Sequence, residues 1–265
     1  MNSTQTSKII QIIRLSRLLL HIFSGLFQSI TYPYFSRPRQ RYMVQKWARN
    51  LLEILNIQLS CSGSLPPEDE QRVILIANHI SWLDIIIILA LYPVRFVAKT
   101  EILSWPLLNI LCRRAGTIFI EREKRNDTMR VNQHIGEALV TGDSVAIFPE
   151  GRTSDGTVLL HFHASLLQAA VTVQAILYPV AIRYRDMAGA RTASVTYVDL
   201  TIVESLRLIL KQPTIKAEVY FLDPISCNGK NRRELTRLSE HAIAETLQLP
   251  VVHKAPEKLS GLPGE

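Results

Sequence analysis

Apolar and polar positions along this chain fall into two regimes that meet near residue 57. Beyond that point, short apolar runs rich in β-branched residues alternate with segments of helical period. Strands are expected at 57–62, 72–77, 94–98, 117–121 and 144–148, with helices between them at 83–91, 103–113 and 126–141. Asn126-Asp127 supplies an N-cap region for the last of these helices, and Gly142 a stop. Further strands are expected at 175–183, 194–203 and 216–222, then a polar helix at 231–247. The alternation predicts a single α/β domain over 57–250, with a mixed, largely parallel sheet flanked by helices. Residues 251–265, rich in Pro, Gly and Lys, read as a flexible tail.

Before residue 57 the pattern is helical throughout. Residues 8–30 are apolar but broken by Arg14, Arg17 and His21, and after Pro33 the stretch 39–55 repeats apolar positions at helical spacing above a basic face. Charge sharpens the picture. The chain carries a net +7, yet its first 50 residues hold eight Lys and Arg and no Asp or Glu, so that segment is +8 and the remainder −1. Residues 1–56 are therefore read as a basic amphipathic helical hairpin that anchors the domain to an anionic membrane surface. Charges inside the apolar run and the lack of a clear cleavage site argue against a signal peptide. A spanning helix needs about 20 mostly apolar residues, and 18–34 comes near that length but contains His21, Gln28 and Pro33. The favoured reading is monotopic: a helix in the inner leaflet of the cytoplasmic membrane, its arginines snorkelling to headgroups. A single span and a merely solvated basic face remain as alternatives. Nucleic acid is disfavoured, because the arginines are interleaved with aliphatics and no recognition module follows. Cys61, Cys112 and Cys227 are scattered without zinc or disulfide spacing, which points to a reducing compartment.

Candidate chemistry centres on 77–84, ANHISWLD, where a strand gives way to a helix. Within one continuous helix, a spacing of five would turn His79 and Asp84 about 140° apart. If the helix starts near Ser81, His79 lies on the preceding loop and can fold back onto Asp84. A carboxylate on one imidazole nitrogen leaves the other free to act as a base. The bland alternative is a polar junction histidine beside a first-turn carboxylate favoured by the helix dipole. Four further stretches fall at strand ends or in loops: FVAKTE around Lys99, GTIFIER ending in Arg122, FPEGRTSDG holding Glu150, Gly151 and Arg152, and YPVA around Pro179. Cations brought to one sheet edge by separate strands would form an anion site suited to phosphate. His161 and His163 flank Phe162, but no second cluster completes a metal site, and no metal is expected. Ser81 and Ser165 lack the glycines of a nucleophile elbow.

In this order and spacing, over roughly 70–185, the blocks resemble the glycerophospholipid acyltransferases, specifically the 1-acyl-glycerol-3-phosphate acyltransferases. NHISWLD is similar to the family's N-H-x4-D block, which implies His79 as base and Asp84 as its orienting partner. The resemblance further implies that Arg122 and Lys99 lie near the substrate phosphate, and that Glu150, Gly151 and Pro179 shape the acceptor site. The third block departs from the common E-G-T-R: here it reads Glu150-Gly151-Arg152-Thr153, so the arginine is displaced by one position. The implied activity is transfer of a fatty acyl group from acyl-carrier protein or acyl-coenzyme A to a lysophospholipid hydroxyl, without any further cofactor. Two alternatives stand beside it, an acyltransferase for another lysolipid such as lyso-ornithine lipid, and a non-enzymatic basic membrane-binding protein.

Overall fold

The computed structural model describes residues 5–104, 107–120 and 125–252. Two helices come first, α1 (Lys8–Thr31) and α2 (Arg37–Ile54), joined by a 3-10 turn at Tyr32–Tyr34. Pro33 ends the first helix and Pro38 opens the second, each where a missing backbone N–H costs least. The domain then runs β1 (Ile57–Gly63), β2 (Val73–Ala77), α3 (Leu83–Leu91), β3 (Arg95–Lys99), α4 (Leu108–Arg114), β4 (Ile118–Ile120), α5 (Arg125–Val140) and β5 (Val145–Ile147). It continues through β6 (Leu159–Leu160), α6 (Gln168–Val173), β7 (Ile176–Arg185), α7 (Ile202–Leu210), β8 (Ile215–Phe221), β9 (Ile225–Ser226), α8 (Arg232–Leu247) and β10 (Val251–Val252).

The main sheet has the order β1-β8-β7-β2-β5-β3-β4, with β9 against β7. Pairing is parallel from β7 through β2, β5 and β3 to β4 and again between β1 and β8, and antiparallel between β7 and β8. The expected mixed, largely parallel sheet is thus observed. The central strand β2, VILIA, is buried at every position, because helices cover both faces of the sheet. Its side chains divide by the period of two: Val73, Leu75 and Ala77 enter one core with α2 and α3, while Ile74 and Ile76 enter the other with α5, α6 and α8.

Helix α1 lies along the domain. Arg14 donates to the carbonyls of Gln212 (2.7 Å) and Pro213 (3.0 Å), and His21 stacks on Trp47 of α2 with centroids 4.9 Å apart. Gly25 admits Trp47, since a Cβ there would lie 2.5 Å from the indole nitrogen. Its outward side exposes Ile9, Ile12, Leu20, Phe23, Phe27 and Ile30. The stretch Lys8–Tyr34 is long and apolar enough to cross a membrane.

Three expectations change. Residues 194–203 do not form a strand: only Val195 plugs the core, and α7 begins at Ile202 behind a capping box in which Thr201 and Glu204 bond each other reciprocally. Val251 and Val252 are not tail but pair with Leu159 and Leu160 in a separate two-stranded sheet. The tail from residue 253 lies outside the described residues. The helix expected over 103–113 begins only at Leu108, after a 3-10 turn at Thr100–Ser104.

Candidate active site

The parallel strands β2, β5, β3 and β4 all end on one edge of the sheet, and β2, β5 and β3 lead into or end on residues singled out above. His79 lies just beyond β2, on the connection to α3. Asp84, in the first turn of α3, folds back onto it, with His79 Nδ1 2.9 Å from Asp84 Oδ2. The same oxygen accepts the N–H groups of Ile80 (2.7 Å) and Ser81 (2.8 Å), and Oδ1 accepts the hydroxyl of Tyr184 from β7 (2.6 Å). Asp84 is fully buried while the His79 side chain is 18% exposed. Four donors on one carboxylate offset the cost of taking its charge out of water. An acceptor-only group on Nδ1 places the ring proton there and leaves Nε2 as the free base. Burial, reinforced by the neighbouring Asp84 charge, drives the Tyr184 hydroxyl well above its ordinary value, so it remains a donor.

The rest of the loop is held as firmly. The Asn78 side chain pairs with both backbone groups of Ile182 (2.9 and 2.8 Å), continuing the β2–β7 ladder where the main chain has turned away. The His79 ring stacks on Phe148 (4.0 Å between centroids, 11° between planes), which stacks in turn on Phe96. Glu150, just beyond β5, is buried and clamps two strands of chain: its carboxylate accepts the N–H of His79 (2.6 Å) and of Leu160 (3.0 Å). Burial pushes its pKa up to about 8, against the pull of those two N–H groups. Gly151 turns with φ +76°, and Gly156 (φ +74°) leaves room for Ile80, whose Cδ1 would sit 3.2 Å from an added Cβ. The carbonyl of His79 accepts the N–H of Ser154 (2.8 Å), and that of Ile80 accepts the N–H of Tyr197 (3.0 Å).

The cations are placed differently. Lys99 is the last residue of β3 and exposed, and Arg152 is exposed next to Glu150. Arg122 lies outside the described residues. Its neighbour Ile120 is in register with Lys99, so β4 ends beside β3. With strands about 4.8 Å apart, β2 and β4 are separated by roughly 15 Å along this edge. Pro179 is buried within β7, opposite Ile76, where it flanks the strand that carries His79.

The N–H groups at the start of α3 already have acceptors. Those of Ile80 and Ser81 are taken by Asp84, that of Leu83 by the Ser81 hydroxyl and that of Asp84 by the Ser81 carbonyl. His161, read as a weak metal candidate, places Nδ1 2.9 Å from Glu240. Beside Phe96 lies an apolar cavity of about 180 Å³ between α1, α2, α3, β3 and α4, lined among others by Gly25, Trp47, Ile86, Leu89, Ala98 and Leu111. No single sequence pattern marks it, because its walls come from five elements.

A partly exposed imidazole hydrogen-bonded to a buried carboxylate at the carboxyl edge of a parallel sheet has the geometry to accept a proton from a hydroxyl. Sequence comparison places it: the chain belongs to the Acyltransferase family, which matches residues 57–183. It is 41% identical to the 1-acyl-sn-glycerol-3-phosphate acyltransferase of Neisseria meningitidis over 66% of this chain and 68% of that one. It is 33% identical to the lyso-ornithine lipid O-acyltransferase of Pseudomonas aeruginosa, over 78% of each chain. The fold matches the crystal structure of the 1-acyl-sn-glycerophosphate acyltransferase of Thermotoga maritima, with a TM-score of 0.63, 21% identity, and coverage of 89% of this chain and 96% of that one.

Proposed function

We propose that this acyltransferase moves a fatty acyl group from acyl-carrier protein or acyl-coenzyme A to the sn-2 hydroxyl of 1-acyl-glycerol-3-phosphate, giving phosphatidic acid. The observation that carries the reading is the His79–Asp84 pair with Tyr184 behind it. Nε2 of His79 takes the proton of the acceptor hydroxyl as its oxygen attacks the thioester carbonyl. The tetrahedral intermediate collapses by breaking the carbon–sulfur bond, and the imidazolium returns its proton to the departing sulfur. Asp84 stabilises the imidazolium while it exists. Lys99 and Arg152, from the rim of the sheet edge, bind the phosphate together with Arg122. Glu150, Gly151 and Pro179 shape the acceptor site by holding the backbone on either side of His79. The cavity beside Phe96, which reaches His79 through the stacked ring of Phe148, takes an acyl chain, since its walls are apolar.

Residues 1–56 hold the protein on the membrane. The Arg14 contacts of α1 with the domain favour a helix lying in the inner leaflet over one that crosses it. The exposed apolar stripe of α1 then enters the acyl region. Family membership sets aside the non-enzymatic alternative. A lyso-ornithine lipid acceptor is the second reading, favoured by the greater coverage of the Pseudomonas relative and by the displaced arginine at position 152. An acceptor panel separates them: thiol release from acyl donor that requires lysophosphatidic acid supports the first, and release only with lyso-ornithine lipid overturns it.

A further inference from the structure

The opposite edge of the sheet carries a second collection of cations. Around the amino ends of β3, β4 and β5 is a polar cavity of about 100 Å³ lined by Arg37, Arg41, Arg95 and Arg114, with Asp143 the one carboxylate on its walls. Asp143 Oδ1 accepts from Arg37 Nη1 at 2.5 Å, and Arg95 Nη2 lies 2.5 Å from Oδ2. That ion pair engages one nitrogen of Arg95, whose guanidinium carries five N–H donors in all. Arg41 donates to a carbonyl, that of Gly142 (2.7 Å), and Arg114 has no carboxylate partner among the described residues. Four guanidinium groups therefore face one carboxylate. The first turn of α2 joins them: Arg37, Gln40 and Arg41 line the cavity, and Ser36 gives that helix no side-chain cap. Gly116 (φ +75°) leaves space for Arg95, whose Nε would lie 3.1 Å from an added Cβ.

Position says what such a cavity meets. Tyr34 and Phe35, both exposed, lie three and two residues before Arg37, and Phe27 and Ile30 extend the apolar surface along α1. An apolar surface that continues into an arginine-lined hollow matches the boundary between acyl chains and headgroups. We propose that this cavity is a second anion site, distinct from the catalytic edge, that binds the phosphodiester of an anionic bilayer phospholipid whose chains lie along α1. Arg95 and Arg114 grip the phosphate with paired N–H donors, and the uncapped N-terminus of α2 adds its positive end. Tyr32, Val44, Val94, Arg114 and Ala115 line both this hollow and the apolar cavity beside Phe96, so a bound headgroup sits at the far mouth of the acyl space.

Vesicle flotation of the full-length protein tests this without turnover, and so independently of which acceptor is used. Phosphatidylcholine vesicles with and without phosphatidylglycerol are compared for wild type, Arg95→Gln, Arg114→Gln and Arg39→Gln. The last removes the same charge from exposed surface of α2 outside the cavity. A diffuse surface field costs roughly fivefold per charge wherever it is removed, whereas loss of a charge-assisted phosphate contact costs about tenfold or more. The expected result is a phosphatidylglycerol-dependent loss for Arg95→Gln and Arg114→Gln well beyond that for Arg39→Gln, with binding to pure phosphatidylcholine unchanged. Arg114→Gln breaks no ion pair among the described residues, so it reports even if Arg95→Gln fails to fold. Equal losses in all three variants would overturn the site. Inorganic phosphate that stabilises wild type but not Arg114→Gln, with flotation unaffected by the substitution, would reassign the cavity to a soluble anion and overturn the lipid assignment.

Discussion

The loop that carries His79 and the rim that carries Lys99 and Arg152 share one edge of the sheet and are built by opposite rules. Around His79 nearly every polar group is spoken for: Asp84 has four donors, Asn78 is locked to β7, and Glu150 grips the backbone from the neighbouring strand. The rim cations end their strands exposed and hold long flexible side chains in water. Under the proposed function, the difference separates reaction from recognition. Proton transfer tolerates little misplacement and is rigidly supported, while headgroup choice depends on side chains that can be exchanged at little structural cost. Relatives named for a phosphate-bearing acceptor and for an ornithine lipid can then share one catalytic loop.

That contrast can be broken most severely at Asp84. Asp84→Asn removes the charge that orients and stabilises the imidazolium, and kcat should fall about 10³-fold with acceptor KM within a few fold, as read in steady-state kinetics. Tyr184→Phe leaves Oδ1 of a buried carboxylate unpaired. It should lower kcat about tenfold and stability by about 1–3 kcal/mol, measured by turnover and denaturant unfolding; unchanged kcat would reduce Tyr184 to a packing residue. Glu150 sharpens the comparison through pH. Its folded carboxyl holds a proton up to about 8 against an ordinary 4.5, so its contribution to stability is fully present below the lower value and lost as pH rises to the upper one. Glu150→Gln should flatten that decline, which Tm at about pH 5 and about pH 9 will show; parallel curves for the two proteins would contradict the shift. The smallest effects belong to the rim, where Lys99→Ala and Arg152→Ala should raise acceptor KM about threefold to tenfold and leave kcat nearly unchanged. A loss confined to the acyl donor would contradict their assignment.

Local signals made much of this molecule legible in the chain. The continuous apolar run 72–77 marks a strand buried on both faces, and LDIIIILAL marks a helix packed on most sides. The His79–Asp84 spacing, set at a strand-to-helix junction, carried its own geometry. What escaped depends on distant partners. Tyr184 is an ordinary strand aromatic until β7 is laid beside β2, 100 residues from Asp84. The strand order was equally hidden, since β1 and β2 are consecutive in sequence but separated by β8 and β7. Residues 194–203 misled because alternating Val, Thr and Tyr mimic a strand, whereas the Thr201–Glu204 capping box was a local signal present and overlooked. The arginines of the amino edge are scattered from 37 to 114 and meet only after folding.

The most direct measurement is thiol release from acyl-coenzyme A and acyl-carrier protein by His79→Ala beside wild type, at saturating lysolipid acceptor and matched membrane binding. The account predicts loss of at least about 10²-fold in kcat with vesicle association intact. Turnover by His79→Ala equal to wild type would contradict the assignment of His79 as the base.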